Sequence, residues 1–153
     1  MKFEEIRNQS CDLRMGGRVT LGKNVILGSA CKKISIGYGS FIGNDVYIDV
    51  EELSIGEYTT IHHGSVVHGK KTSIGHNCWF GHYTIIDSLG GETRIGNNVG
   101  VGAHSQLWSH MKFGDVLNGS DGIQEVHSQS KMMFGSSGTV SSVQFMQKPN
   151  QCY

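Results

Sequence analysis

The stretch Ile36-Gly37-Tyr38-Gly39-Ser40-Phe41-Ile42-Gly43-Asn44-Asp45-Val46-Tyr47-Ile48 decides the fold of this chain. An aliphatic residue returns at every sixth position within it. The same step continues outward through Ile55, Ile61 and Val67, then Ile74, Phe80 and Ile86, then Ile95, Val101 and Leu107. The triplets start at 36, 55, 74 and 95. A fixed period of this kind marks stacked units rather than a core folded back on itself.

Six is an even number, so a strand with two-residue alternation presents the same face inward at every step. The residue four after each anchor then points inward too, where converging walls leave room only for small side chains. Those positions hold Ser40, Val46, Thr59, Ser65, Cys78, Thr84, Val99 and Ser105. Three after the anchor stand Gly39, Asp45, Gly64, Asn77 and Asn98, residue types that tolerate the left-handed backbone of a sharp corner. Each step therefore reads as a short strand plus a corner, and three steps close one triangular coil. A sandwich of short strands needs no strict period of six.

The phrases Ile36-Gly37-Tyr38-Gly39-Ser40, Ile74-Gly75-His76-Asn77-Cys78 and Ile95-Gly96-Asn97-Asn98-Val99 resemble the repeat of the hexapeptide-repeat acyltransferases. The resemblance covers about residues 19 to 117. It implies an all-β fold, a single-stranded left-handed parallel β-helix, with irregular N- and C-terminal segments. The left hand is taken from the resemblance alone, since parallel crossovers are otherwise right-handed. Three segments are expected: a lead-in or cap over 1–18, the β-helix over 19–117, and an irregular tail over 118–153. Leu21-Gly22 and Leu27-Gly28 keep the step of six as a first, incomplete coil, and residues 87–94 lengthen one corner by about two residues.

Composition narrows the partners. Lys plus Arg equals Asp plus Glu at 13 each, so no net charge steers the chain toward nucleic acid or an anionic membrane. No apolar run is long enough to span a bilayer. Met1-Lys2-Phe3-Glu4-Glu5-Ile6 lacks the apolar region of a signal peptide. Cys11, Cys31, Cys78 and Cys152 show no zinc spacing; Cys31 and Cys78 fall at small inward positions and read as core thiols. Reduced cysteines suit a cytoplasmic protein.

Seven of the eight histidines lie between 62 and 110. Acyl transfer from a thioester needs a base for the nucleophile's proton and donors for the oxyanion, and a neutral imidazole suits the first role. The resemblance implies acetyl transfer from acetyl-CoA to a hydroxyl or amine of a sugar or nucleotide sugar, in a homotrimer whose clefts lie between subunits, with no metal. His110 is the expected base, because it follows the complete triplet Ile95, Val101, Leu107. Trp108 and Ser109 then line the acceptor pocket and Asp115 orients the imidazole. His104, three after Val101, is the second candidate and reads first as a corner residue. Two other readings stay open. His63-Gly64-Ser65-Val66-Val67-His68 resembles the zinc segment of γ-class carbonic anhydrases, which need a third histidine from an earlier coil, and none precedes His62. A non-catalytic coil that only assembles with partners is the third reading.

Overall fold

The computed structural model describes residues 10–112 and four short strands beyond them, Ile123–Glu125, Met132–Phe134, Thr139–Val140 and Gln144–Phe145; side chains are described through residue 109. Every anchor from Ile36 to Leu107 turns inward, and none is more than 5% exposed. All eight small residues four positions after an anchor are buried as well. Removing an aliphatic side chain from water stabilises by about 1.5–3 kcal/mol, so the column of anchors supplies the main apolar drive for stacking.

The strands pair in parallel from coil to coil. Ile36 pairs with Ile55 and Ile55 with Ile74, so one turn takes 19 residues there. Ile74 pairs with Ile95, a turn of 21, which places the two extra residues in the 87–94 corner as the spacing predicts. Three walls result. The second runs Thr20–Leu21, Phe41–Ile42, Thr60–Ile61, Trp79–Phe80, Gly100–Val101 and Thr139–Val140. The first and third merge where the nine-residue strands Tyr47–Ile55 and Val66–Ile74 run through their common corner.

Two corners of each coil are sharp and left-handed. Gly39, Asp45, Gly64, Asn77 and Asn98 all take positive φ, as their types predict. Tyr58 (φ 52°), Tyr83 (φ 56°) and His104 (φ 60°) do the same at equivalent positions. Both tyrosines lie over a glycine one coil earlier. A Cβ on Gly39 would stand 2.8 Å from the Tyr58 ring, and one on Gly64 2.4 Å from the Tyr83 ring. Ring coverage of a bare corner offsets the cost of the left-handed backbone.

Hydroxyls tie the corners together inside the prism. Ser40 Oγ donates to the Gly56 carbonyl at 2.8 Å and accepts from the Thr59 amide at 3.0 Å. Thr59 Oγ1 repeats this with Gly75 and Cys78 at 2.8 and 3.2 Å. At the next corner Ser65 Oγ bonds Gly81 and Thr84 in the same way. These small polar residues are buried because their bonds are made locally, which removes the penalty for hiding a hydroxyl.

The stack begins before Val19. The strand Asp12–Met15 pairs in parallel with Lys33–Ile36, which sets Met15 under Ile36 as a further anchor. That is earlier than the 18/19 boundary expected from the sequence, where Met15 lacks the Ile-Gly or Leu-Gly signature. Beyond Leu107, His110–Lys112 and Ile123–Glu125 form an antiparallel pair off the coils. Phe134, Val140 and Phe145 then lie in register over Ile95, Val101 and Leu107. The rest of 118–153 lies outside the described residues. Among the described residues no helix is long and apolar enough to cross a membrane, and Cys11, Cys31 and Cys78 are free and buried.

Ile74, Phe80 and Ile86 are buried at one level beside Cys78 and Thr84. Ile74→Asp is expected to lower unfolding free energy by about 3 kcal/mol or more, as an uncompensated buried charge does. Denaturant melts check this, and a wild-type midpoint would contradict the stacking register.

Candidate active site

The register that stacks the anchors also stacks their outward neighbours. His68, one after Val67, lies beside Asp49 on one strand and Asp87 on the next. His68 Nδ1 sits 3.0 Å from Asp87 Oδ2. A carboxylate can only accept, so Nδ1 carries the proton, and in the neutral ring Nε2 then keeps its lone pair. The His68 side chain is 40% exposed and Asp87 2%, so a buried carboxylate aims a solvent-reachable imidazole.

Asp87 gathers more than one partner. Its Oδ1 accepts from the Leu89 amide at 2.9 Å and from Ser109 Oγ at 3.2 Å. Ser109 Oγ in turn accepts from the Gly90 amide at 3.0 Å, and Thr93 Oγ1 donates to the Asp87 carbonyl at 3.0 Å. The lengthened corner, the exit from the last complete triplet and His68 therefore meet at one carboxylate. Burying that charge is tolerable because donors surround it.

The residues singled out from the sequence divide as follows. Ser109 is buried and bonded to Asp87, so it anchors the chain rather than facing a pocket directly. Half-buried Trp108 donates from Nε1 to Gln106 Oε1 at 2.9 Å. The backbone of His110 lies in the antiparallel pair, opposite Glu125; its side chain and all of Asp115 lie outside the described residues. His104 is an exposed corner residue whose ring stacks on Tyr83 at 5.2 Å. His63 and His68 do not come together as a pair of ligands. His63 Nδ1 accepts from the Asn44 amide at 2.6 Å, while His68 turns to Asp87. Chain proximity sets His68 near His63, whereas the coil sets it against Asp87, 19 residues on.

A second group of imidazoles stands on the second wall. His62 and His82 have ring centroids 4.7 Å apart, and His63 stacks on His82 at 5.3 Å. Phe41 and Trp79 flank them.

A three-walled parallel β-helix carrying this repeat is the architecture of the hexapeptide-repeat acyltransferases, and the chain resembles them in sequence and in fold. Among known proteins it is similar to the acyl-(acyl-carrier-protein)–UDP-N-acetylglucosamine O-acyltransferase of Burkholderia vietnamiensis, 33% identical over 74 residues, which is 47% of this chain and 27% of that one. The enzyme of the same name from Burkholderia ambifaria matches at 33% over the same shares. The bifunctional protein GlmU of Anaplasma marginale is 36% identical over 85 residues, 53% of this chain and 19% of GlmU. The chain thus spans about a quarter or less of the length of these curated relatives. No protein-family profile matches it, and no solved structure does.

Burial, then His82, then His63 push the His62 imidazole below its ordinary pKa. The unfolded chain protonates first as pH falls, near the usual value of about 6.5. The stability tied to neutral His62 is therefore complete above that value and is lost as pH falls from it through the lowered folded pKa. Thermal melts of wild type are expected to fall below pH 6.5, and those of His62→Gln to fall less. Identical slopes for the two proteins would refute the assignment.

Proposed function

We propose that the chain is an acyltransferase that moves an acyl group from a thioester to a hydroxyl or amine of a sugar or nucleotide sugar. Acetyl-CoA is the donor in this reading, and a homotrimer is the working assembly. The observation that carries it is the Asp87 node, which sits where the last complete triplet exits and holds both His68 and the residue before His110. Similarity to enzymes named for acyl transfer to UDP-N-acetylglucosamine supports the substrate class.

A histidine accepts the proton of the acceptor's hydroxyl or amine as that atom attacks the thioester carbonyl. The tetrahedral intermediate collapses, the C–S bond breaks, and the thiolate leaves and is protonated. His110 is the proposed base, with Ser109 fixing where the chain presents it. Trp108 is assigned to the acceptor pocket and Asp115 to orienting the imidazole. A second reading gives the base role to His68, since a buried carboxylate on Nδ1 fixes the tautomer and the direction of the imidazole.

Release of free CoA is measured with a panel of amino and hydroxyl sugars, with an acyl-(acyl-carrier-protein) donor as a second arm. His110→Ala is expected to lower kcat by roughly 10²–10⁴, the usual share of a general base. His104→Ala is expected to leave kcat within about threefold and to act on folding by a few tenths to about 1 kcal/mol, as a turn position does. Turnover that survives His110→Ala but is lost in His68→Ala moves the base to His68. No thiol release from either donor with any acceptor would remove the proposal, and light scattering that shows only monomer would remove the trimer.

A further inference from the structure

The second wall carries chemistry that acyl transfer does not use. Its outward face brings His62, His63 and His82 together through the 19-residue turn. His63 and His82 each stand two after an anchor, on consecutive coils, so their rings stack at 5.3 Å. His62, just past the end of the strand Thr60–Ile61, reaches the same place, 4.7 Å from His82 and 6.0 Å from His63. One nitrogen from each of the three lies within 4.8 Å of the others. His62 Nδ1 is shut off from solvent and has no hydrogen-bond partner among the described residues. An imidazole nitrogen buried in that state costs free energy that a ligand on it would recover.

We propose that His62, His63 and His82 form a site for a divalent transition-metal ion of borderline softness, Zn²⁺, Ni²⁺ or Cu²⁺. Imidazole nitrogens are preferred ligands of these ions, and the set contains none of the carboxylates that favour Ca²⁺ or Mg²⁺. Metal–nitrogen bonds of about 2.0–2.1 Å in a tetrahedron set ligand nitrogens about 3.3 Å apart. The three rings must therefore close by roughly 1.5 Å at most. Exposed His82 can supply that movement by side-chain rotation, while half-buried His62 and His63 stay at the corner that follows Thr60–Ile61. Three protein ligands leave a fourth position for water or an outside donor.

His63 makes the inference specific. Its Nδ1 accepts the Asn44 amide at 2.6 Å, so the neutral ring is protonated on Nε2. A metal on Nε2 displaces that proton to Nδ1, and a metal on Nδ1 uses the lone pair itself. Either way the Asn44 amide loses its acceptor. Metal binding at this wall must therefore disturb an amide one coil away from His63 and two coils away from His82.

Trp79, whose ring lies 5.1 Å from His62, is a built-in reporter. The tag-free full chain with Trp108→Phe leaves Trp79 as the sole tryptophan, since the sequence has two. Cu²⁺ titration is expected to quench its fluorescence to saturation at one ion per chain. His82→Ala should weaken that binding at least tenfold. His76→Ala, which alters a histidine on the neighbouring wall, should leave it unchanged. In a Zn²⁺ titration the Asn44 amide resonance should shift in step with occupancy. Non-saturating quenching, equal affinity in His82→Ala, or an equal loss in His76→Ala would overturn the site, as would an unmoved Asn44 amide at full occupancy.

Discussion

The whole structure depends on one constraint, an even step of six residues that returns an apolar side chain to the same interior line. Because the anchors stack, the backbone ladders are parallel and in register, and nothing in a coil can shift without moving its neighbours. Side chains 19 apart consequently become neighbours. His68 meets Asp87, His63 meets His82, and the Glu57 amide donates to His76 Nδ1 at 2.9 Å, all by the same offset. The geometry of the candidate sites is a by-product of that repeat.

Where the period is interrupted, polar chemistry collects. The 87–94 corner adds two residues to a turn and brings in Asp87, Ser88, Glu92 and Thr93. Ser88 Oγ accepts from the Lys71 amide at 3.1 Å, and Glu92 pairs with Arg94 at 2.9 Å. A regular step has room for one small residue at the corner. The longer corner can fold a carboxylate inward and still satisfy it with Leu89 and Ser109. A repeat protein gains a site by such a local departure, while the coils on either side keep the framework rigid.

The fold was legible because its signal is periodic and its corners need particular residue types. Gly39, Asp45, Gly64, Asn77 and Asn98 announced their left-handed backbone, whereas Tyr58 and Tyr83 did not. Those tyrosines are explained only by the glycine each ring covers in the preceding coil. Met15, Phe134 and Val140 lie in register with anchors but are hard to read, since Met15 itself lacks the Ile-Gly or Leu-Gly signature and the tail's Ser- and Gly-rich composition hides a spacing of six. The site was less legible than the fold. Proximity along the chain joined His63 to His68, and chain order favoured His110. Reading the histidines and acids at an offset of 19 would have paired His68 with Asp87 and His63 with His82. Asp87 looked instead like the first residue of a polar loop, because burial of a carboxylate is not written in its neighbours.

The central claim is that Asp87 organises an acyl-transfer centre, and Asp87→Asn tests it most directly. The amide keeps the side chain's shape but replaces one acceptor oxygen with a donor, so it cannot hold His68 Nδ1–H and Ser109 Oγ–H together. Acetyl-CoA turnover with an accepted sugar should fall by roughly 10²-fold or more while KM changes little, as loss of an oriented base does. A protein that melts like wild type and turns over like wild type would contradict the account.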